Sequence, residues 1–507
     1  MKASKHEADR PVGGEDAPRE IELKLEAISG GVEHLLAHPL LTQAVPVPEQ
    51  SGGLHAVYFD TPDLALRRAG LSLRIRRRDG RHIQTIKAES KVRGLALDRS
   101  EWESPVEDGS LDFAAAAGTP LAPLLDDDAV RAAIRPAFII ETERRSLEIR
   151  YGGSLIELAL DDARVRAGSG TARFAELELE LKEGDPSALF GFARDLAEAV
   201  PLRLAPITKS ERGYGLLDGT LPEPLHAAKT DVRPDASCAE AFQSIARSCL
   251  SQVISNEAVL RRTRNPEAVH QMRVGLRRLR AAISLFKDML ADEETEEIKG
   301  DLRWAGQQLG PARDLDVFLE RLLEQDAELA EDESEGIERR RRRAYDGLME
   351  TLDSARFLRV ILTTAAWIEA GEWLADNVLA ARPARDHAEE ELSRRRSSIR
   401  RQARHLAELD DEDRHRLRIR IKKLRYGVEF FAPLFADGSK KRRKAMSAVL
   451  GRLQDVLGEM NDIAVGGSLL PSLASQDPEQ AKRRMSKLLA KAIAGSQEFS
   501  ALKPFWR

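Results

Sequence analysis

Charged and aliphatic residues alternate in several short segments of the N-terminal half. Segment 20–25, EIELKL, carries a charge at every second position, and segment 176–180, ELELE, repeats the pattern. On a β-strand such residues share one face, because successive side chains point to opposite sides. Arg74 and Arg76 flank Ile75 in the same way but present only positive charge. The charges are therefore segregated by sign between the strands.

This segregation favours a ligand site, although a solvated face of an antiparallel sheet is the competing interpretation. Strands that carry like charges side by side repel one another unless a counter-charge lies between them. Carboxylate oxygens are preferred ligands of Mg²⁺ and Mn²⁺, and guanidinium groups bind phosphate oxygens in charge-assisted pairs. The pattern predicts a metal-assisted phosphoryl-transfer site inside a sheet that curls on itself.

A second set of basic residues occurs twice in the C-terminal half with identical spacing. The copies are His270, Arg273, Arg277 and Arg280, and His415, Arg418, Lys422 and Arg425. At 100° per residue their offsets cover a helical stripe about 80° wide. Each copy is followed by a similar segment, LGPARDLDV at 309–317 and LGEMNDIAV at 457–465. The repetition predicts a duplicated helical bundle.

The duplicated stripe has two interpretations. A basic solvated helix face is one, and Arg278 and Lys423, which lie off the stripes, are interpreted as ordinary solvated charges. A binding surface for a polyanion with regular charge spacing is the other, favoured because the same positions recur. Nucleic acid is not expected as a partner, since stacking on bases requires interleaved aromatic residues and only Tyr426 borders a stripe.

The surrounding sequence indicates how these residues are positioned. Strand patterns extend to about residue 206, the segment 220–235 has three prolines and no periodicity, and long 3.6-residue periodicity follows. We predict an α+β domain at residues 18–219, a linker at 220–235, and an all-helical domain at 236–507. The helical domain is expected to hold two repeats, at about 237–380 and 381–500.

Composition limits the class of protein. The 507 residues have a formal net charge of −5, but residues 1–225 carry 29 basic and 38 acidic residues and the remainder carries 50 and 46. Cys238 and Cys249 are the only cysteines, too few for a disulfide framework and typical of buried small residues. With no signal peptide and no long apolar stretch, a cytoplasmic protein with no membrane partner is expected.

The N-terminal pattern resembles the CYTH superfamily, the triphosphate tunnel metalloenzymes. The resemblance covers about residues 18–218. It rests on Glu20-x-Glu22-x-Lys24, on Arg74-x-Arg76, Lys87, Arg144, Leu160-Asp161 and Glu176-x-Glu178, and on the segment KSERGY at 209–214. It implies an eight-stranded antiparallel β tunnel that binds a triphosphate, with Mg²⁺ or Mn²⁺ held at one side.

The resemblance also implies a role for each matched position. Metal ligands would be Glu20, Glu22, Glu176 and Glu178. Catalytic residues would be Lys24, Lys87, Asp161 and Lys209, and substrate-binding residues would be Lys24, Arg74, Arg76, Lys87, Arg144, Lys209 and Arg212. Arg145 could replace Arg144 if the register slipped by one, but the slip would turn Leu147 and Ile149 inward.

The C-terminal pattern resembles the CHAD domain over about residues 237–500. The resemblance implies two pseudo-symmetric helical bundles with a basic groove for inorganic polyphosphate, including polyphosphate granules. The groove residues would be His270, Arg273, Arg277, Arg280, His415, Arg418, Lys422, Arg425 and Tyr426. Together the two resemblances predict a metal-dependent inorganic triphosphatase that hydrolyses tripolyphosphate.

Three alternatives stay open at this point. A non-catalytic polyphosphate-binding protein would use the cations of both halves and would not need the carboxylates. An organic triphosphatase, acting on thiamine triphosphate or a nucleotide, and an adenylate cyclase would share the tunnel residues. The four glutamates favour an enzyme, because carboxylates facing a polyanion without metal would weaken its binding.

Overall fold

The structure is a computed structural model. It describes residues 21–28, 31–88, 101–107, 109–324, 331–435, 439–465 and 478–506. Glu20, predicted above as a metal ligand, lies outside the described residues.

The N-terminal half forms one antiparallel sheet. Its strands are β1 (Ile21–Ala27), β2 (Val45–Pro46), β3 (Gly52–Asp60), β4 (Leu71–Arg78), β5 (Arg81–Ala88), β6 (Glu101–Val106), β7 (Arg135–Tyr151), β8 (Ser154–Ala167), β9 (Gly170–Glu183) and β10 (Leu202–Leu204). The strand order is β10-β1-β9-β8-β7-β3-β4-β5-β6, and β2 pairs with β7. Eight strands are long, as the family resemblance implied, and the very short β2 and β10 are additional.

Helices occur in both halves. They are α1 (Gly31–Leu36), α2 (Ala65–Arg68), α3 (Ala122–Leu125), α4 (Asp128–Ala133), α5 (Pro186–Ala199), α6 (Lys209–Asp218), α7 (Cys238–Thr263), α8 (Pro266–Leu285), α9 (Glu293–Gln308), α10 (Gly310–Glu324), α11 (Glu331–Leu352), α12 (Ala355–Ala370), α13 (Val378–Ala381), α14 (Ala384–Ala403), α15 (Asp411–Phe430), α16 (Lys440–Val465) and α17 (Pro478–Ala501). From residue 205 on, the described residues form no strand of the sheet. In the described part of the chain, no helix combines the length and apolarity needed to cross a bilayer.

One hydrophobic core runs through both halves. The alternation in β1 buries Leu23 and Leu25 on the face opposite Lys24, and α5 covers this face with residues such as Phe192. Helix α5 begins where the Asp185 side chain accepts a hydrogen bond from the Ser187 N–H, a common N-cap. On its other side α5 packs against α12, whose buried residues belong to the same core.

The predicted linker is bound to the helical half. Leu225 exchanges two backbone hydrogen bonds with the side-chain amide of Asn256 on α7, at 3.0 and 2.9 Å. The Thr230 hydroxyl donates to the carbonyl of Phe430 at 3.1 Å. Residues 219–236 contain no helix or strand, but these contacts fix their path.

Helices α8 and α15 carry the two predicted basic stripes and pack against each other. Each is 20 residues long. Asn265 caps α8 before Pro266, and Asp410 caps α15. Cys238 and Cys249 are free and buried, as predicted. Arg278, interpreted from sequence as solvated, is 1% exposed and pairs with Glu429 of α15 at 2.9 Å. That interpretation was wrong because α15 covers this side of α8.

Helix α6 lies close to the sheet at Gly213. A Cβ there would lie 2.6 Å from Cζ of Phe138, whose ring stacks on Tyr58 with a centroid separation of 4.6 Å. Gly215, on the same helix, has room for a Cβ, with the nearest atom 3.6 Å away on Thr220. The close approach of α6 to the sheet therefore depends on Gly213.

We expect Gly213→Ala to destabilise the protein by about 1–3 kcal/mol, because the methyl group overpacks a filled aromatic site. Gly215→Ala is the matched control, expected to be neutral or to stabilise by up to about 1 kcal/mol through helix propensity. Urea unfolding followed by circular dichroism measures both. Equal midpoints for the two variants would contradict the packing described here.

Candidate active site

Three carboxylates from two adjacent strands meet on the polar side of the sheet. Asp161 lies on β8, and Glu176 and Glu178 lie on β9. One carboxylate oxygen from each lies within 4.8 Å of the others. Asp161 stands directly opposite Glu176 in the strand register, and both side chains are fully buried. We call these three residues the carboxylate cluster.

Lys209 sits at the centre of the carboxylate cluster. Its Nζ lies 2.8 Å from Asp161 Oδ2, 2.7 Å from Glu176 Oε1 and 2.8 Å from Glu178 Oε1. Lys209 is the first residue of α6, whose start is fixed by reciprocal hydrogen bonds between Thr208 and Glu211, a capping box. The helix therefore delivers one positive charge to all three carboxylates.

Two cations on the strands complete the neutralisation. Arg144 of β7, opposite Asp161 in the register, donates from Nε and Nη2 to its two oxygens at 2.7 and 2.6 Å. Nη2 also reaches Glu178 Oε2 at 2.7 Å. Lys24 of β1 pairs with Glu178 and lies 2.8 Å from Glu22 Oε1. The two carboxylate-bearing strands, β8 and β9, thus lie between the two strands, β7 and β1, that supply these cations.

The charges of this site reinforce one another. Burial alone would lower the pKa of Lys24, but Glu178 and Glu22 raise it to about 12. Burial alone would raise the pKa of Glu178, yet Lys209, Lys24 and Arg144 hold it well below the usual range. The pKa of Glu176 is raised, chiefly by burial. Opposite charges in a buried site therefore keep most of these groups ionised.

The carboxylate cluster fits a hard divalent cation. Its donors are all oxygens, which such cations prefer. Glu176 Oε2 is buried and has no hydrogen-bond partner, although buried oxygens are nearly always paired. Glu176 Oε2 is therefore available to bind a cation. The Lys209 ammonium group contacts all three carboxylates and so occupies the position where they attract positive charge.

A basic face lies on the other end of the sheet. It consists of Arg74 and Arg76 on β4 and Lys87 on β5. Carboxylates of β6 partly neutralise it: Glu101 Oε2 lies 2.6 Å from Lys87 Nζ, and Glu103 Oε1 lies 3.3 Å from Arg76 Nη2. Arg74 Nε is buried without a hydrogen-bond partner. The face therefore retains capacity to bind anion oxygens.

The carboxylate cluster and the basic face lie within electrostatic reach of each other. Five strands separate β1 from β5 in the sheet order, yet the charge of Lys24 adds to burial and to the charge of Arg74 in lowering the pKa of Lys87. Burial and the charge of Arg74 lower the pKa of Arg76, and the charge of Arg144 adds to this lowering. The sheet must curl to bring these groups together, as the tunnel prediction required.

The remaining sequence-predicted residues of this half lie at the edges of the site. Glu22 is outside the carboxylate cluster and is paired with Lys24. Arg212 pairs with Glu26 at 2.7 Å, one turn of α6 beyond Lys209. Arg145 is exposed, so the structure selects Arg144 of the two alternatives.

The two basic stripes of the helical half merge at their centres. The charge of Arg277 on α8 lowers the pKa of Lys422 on α15. Within the described part of the chain, neither side chain has a hydrogen bond or ion pair, and Arg277 Nε is buried. Burial and the neighbouring charges of Arg418, Arg277 and Arg425 lower the pKa of Lys422 to about 8. We call the surface that the two stripes form together the cationic band; it consists of His270, Arg273, Arg277, Arg280, His415, Arg418, Lys422 and Arg425.

The outer residues of the cationic band are placed by matching contacts in the two copies. Gly310 approaches Arg273, and Gly458 approaches Arg418, so a Cβ at either glycine would lie 3.3–3.5 Å from a guanidinium nitrogen. His415 Nδ1 lies 3.0 Å from Asn461 Oδ1. In the other copy, the charge of Arg313 contributes to lowering the pKa of His270. The two downstream segments noted in the sequence therefore pack against the stripes.

Two further stripe residues, Arg280 and Arg425, and the neighbouring Tyr426 lie at the margins of the band. Arg280 is exposed. Lys423 is half-buried, and burial and the charges of Arg395 and Arg280 lower its pKa, so it is not the fully solvated charge that the sequence indicated. Arg425 donates to Gln454 at 3.2 Å. The Tyr426 ring stacks on Phe430 with a centroid separation of 6.0 Å.

Sequence reasoning missed one charged residue near the carboxylate cluster. Glu26 continues the period-two alternation of Glu22 and Lys24, and this signal was available. It stands opposite Glu176 in the register and accepts from Arg203 and Arg212, each at 2.7 Å. The partners of Glu26 lie far away in sequence, and periodicity could not identify them.

Comparison with known families divides the chain in two. Residues 18–214 match the family model described as the CYTH domain, and residues 244–471 match the model described as the CHAD domain. An inorganic triphosphatase from Haemophilus influenzae is 30% identical over 197 residues, which are 39% of this chain and 54% of the relative. The match thus spans about half the length of that relative. An uncharacterised protein from Mycobacterium tuberculosis is 26% identical over 487 residues, covering 89% of this chain and 88% of the relative.

Solved structures resemble each half separately. The crystal structure of a CHAD domain from the plant Ricinus communis is 30% identical, with a TM-score of 0.46, and covers 55% of this chain and 98% of that one. A putative adenylyl cyclase from Hippeastrum, described as having a dominant triphosphatase activity, is 19% identical, with a TM-score of 0.30. It covers 39% of this chain and 95% of that one.

Lys87 provides a pH-dependent prediction for this site. Burial and the charge of Arg74 lower its pKa to about 8, so above pH 8 the folded protein loses this positive charge. A bound polyanion favours the charged form, so binding of tripolyphosphate at pH 8.5 should return up to roughly three quarters of a proton to Lys87.

Isothermal titration calorimetry in EDTA, with two buffers of different ionisation enthalpy, measures this uptake. Lys87→Arg, which stays charged, is the matched variant, because the ionisation of the anion and of Lys422 contributes equally to both proteins. Proton uptake that is the same in the wild type and in Lys87→Arg would show that Lys87 does not face the bound anion.

Proposed function

The chain is a CYTH domain followed by a CHAD domain, and from this premise we propose that it is a divalent-metal-dependent inorganic triphosphatase. It hydrolyses tripolyphosphate to pyrophosphate and phosphate, and its helical half binds inorganic polyphosphate. The observation that carries the proposal is the pairing, within one curled sheet, of a buried carboxylate cluster with a basic face. Such a site attracts a cation and a polyanion together.

The residues divide the work by charge. Asp161, Glu176 and Glu178 would hold Mg²⁺ or Mn²⁺, and the unpaired Glu176 Oε2 would supply one ligand. When bound, the cation would polarise the scissile phosphoryl group and neutralise developing charge. Glu22, and Glu20 outside the described residues, are proposed as further ligands.

The cations bind and orient the substrate. Arg74, Arg76 and Lys87 would hold phosphate oxygens from one side of the tunnel, and Lys24 and Arg144 from the other. Lys209 would exchange its carboxylate partners for a phosphate oxygen when the metal binds. Because phosphoryl transfer requires little covalent chemistry from the protein, this positioning and charge neutralisation supply most of the rate enhancement.

Two features favour an inorganic substrate over thiamine triphosphate or a nucleotide. The relative from Haemophilus influenzae is described as an inorganic triphosphatase. The cationic band of the helical half also suits a repeating anion without bases, because Tyr426 is the only aromatic residue beside the two stripes among the residues that the structure describes. The proposed location is the cytoplasm, where the free Cys238 and Cys249 stay reduced, and polyphosphate granules are a proposed partner.

The assay that tests the enzyme is phosphate release from tripolyphosphate, thiamine triphosphate, ATP and long-chain polyphosphate, with Mg²⁺, Mn²⁺ or EDTA. We expect metal-dependent turnover of tripolyphosphate, and a loss of about 100-fold or more in kcat for Glu176→Gln and Glu178→Gln. Glu141→Gln is the matched control, since Glu141 pairs with Arg166 on the outer face, at 2.7 Å, and should retain activity. Tight polyphosphate binding without metal-dependent turnover of any substrate would favour the non-catalytic alternative.

For the helical half, we expect Arg277→Glu combined with Lys422→Glu to abolish binding of long-chain polyphosphate and to leave tripolyphosphate turnover largely intact. The two residues stand where the stripes merge, so reversal of both charges disrupts both copies. Arg342→Glu combined with Arg343→Glu, at exposed positions on α11, changes the net charge equally and should retain binding. A gel-shift or fluorescence anisotropy titration measures affinity, and equal loss of binding and turnover would contradict the division of labour.

A further inference from the structure

A cavity of about 140 Å³ lies where the two halves meet. The tunnel half contributes Glu26 of β1, Arg203 of β10 and Arg212 of α6, and the helical half contributes Arg261 and Arg262 near the end of α7. We call it the junction cavity.

The junction cavity adjoins the candidate active site. Glu26 is two residues beyond Lys24 on β1 and therefore shares its face of the sheet. Arg212 is one helical turn beyond Lys209 on α6, so it lies on the same side of that helix. The cavity thus lies beside the carboxylate cluster, at the end of the site nearest the helical half.

Positive charge is in excess in this cavity. Arg203 and Arg212 share a single carboxylate, that of Glu26, with distances of 2.7 Å to each oxygen. The Arg212 guanidinium stacks over the ring of Phe174 at 4.4 Å, and its Nε is buried without a hydrogen-bond partner. One carboxylate therefore serves two guanidinium groups, and one of them retains an unused donor.

The helical half adds to this excess. Glu257, which also lines the cavity, is occupied by Arg261 at 2.9 Å. Arg262 has no hydrogen bond or ion pair in the described part of the chain, and burial and the charge of Arg212 lower its pKa. Glu26 and Glu211 offset part of this repulsion, yet the two arginines still oppose each other across the domain boundary.

We propose that the junction cavity is a phosphate-binding subsite shared by the two domains, in which Arg212 and Arg262 bind the oxygens of one phosphoryl group. Guanidinium groups bind phosphate through charge-assisted, often bidentate, hydrogen bonds. The phosphoryl group comes either from the end of a condensed phosphate longer than three units or from free orthophosphate. The first source rests on the proposed function, because it requires the adjoining tunnel to hold the rest of the chain.

The experiment compares Arg262→Gln with Arg264→Gln. Both residues lie at the end of α7, but Arg264 is outside the cavity lining and pairs with Asp346 at 2.8 Å. Isothermal titration calorimetry measures the affinity for orthophosphate, tripolyphosphate and tetrapolyphosphate in EDTA. The Arg277→Glu/Lys422→Glu protein serves as the background, so that the cationic band does not compete for the probes.

We expect Arg262→Gln to weaken binding of tetrapolyphosphate, orthophosphate or both by about tenfold, to change tripolyphosphate affinity less than twofold, and Arg264→Gln to change none. An effect on tetrapolyphosphate alone identifies a chain end, and an effect on orthophosphate alone identifies a site for the free ion. Equal losses for all three anions, or no loss for any, overturn the proposal.

The test is independent of catalysis, because no metal is present. If no substrate is turned over with metal, but Arg262→Gln still weakens anion binding and Arg264→Gln does not, the enzyme function is refuted and the subsite is supported. Turnover of tripolyphosphate with no discrimination at Arg262 would remove the subsite and leave the enzyme. Equal thermal midpoints for the Arg262→Gln and Arg264→Gln proteins check that both fold alike.

Discussion

Burial of like charges is the constraint on which the N-terminal half depends. Three carboxylates cannot remain ionised in a buried space unless cations lie within hydrogen-bond distance. Those cations come from β1, β7 and α6, so the charges require a definite register for the strands and a definite position for the helix. The Gly213 contact with Phe138 lets α6 approach closely enough to deliver Lys209. Packing and electrostatics thus depend on the same helix.

The helical half presents the opposite case. Its cationic band brings Arg277, Lys422 and Arg418 together, and beside burial it is the positive charges of Arg418, Arg277 and Arg425 that lower the pKa of Lys422. The apolar faces of α8 and α15 stabilise this arrangement by packing against each other, since the charges oppose it. Repulsion within such a surface lowers the stability of the free protein, and an anionic ligand that binds the folded state stabilises it. Before a polyanion binds, Lys24, Arg144 and Lys209 of the N-terminal half are thus paired with carboxylates. Arg277 and Lys422 of the helical half have no such pairing in the described part of the chain.

Much of this site could be predicted from the sequence because it depends on periodicity. Alternation with period two placed Lys24, Arg74 and Arg144 on the polar face, and the apolar phase of β7 favoured Arg144 over Arg145. The recurring stripes predicted two equivalent helices. Each of these inferences uses only the residue pattern within a single strand or helix. The identity of the expected ligands came from the family resemblances.

What the sequence could not provide depends on contacts between elements. Arg278 looked solvated on an isolated helix, yet α15 covers it and Glu429 pairs with it. The metal-ligand set implied by the resemblance included Glu22, whereas the compact cluster contains Asp161, because the register of β8 on β9 decides which carboxylates meet. The sequence grouped Arg212 with the tunnel cations. Its pairing with Glu26 depends on how the first turn of α6 is placed relative to β1.

The shared hydrophobic core at α5 and α12 has a consequence for how such a protein can change over time. The sequence indicates a domain boundary near residues 220–235, but the hydrophobic core is continuous between the two halves. Helix α5 packs against the sheet on one side and against α12 on the other. Replacement of either half by an unrelated one would expose an apolar helix face to water, which favours aggregation. Recombination at the linker is therefore restricted to partners that bring a matching apolar surface.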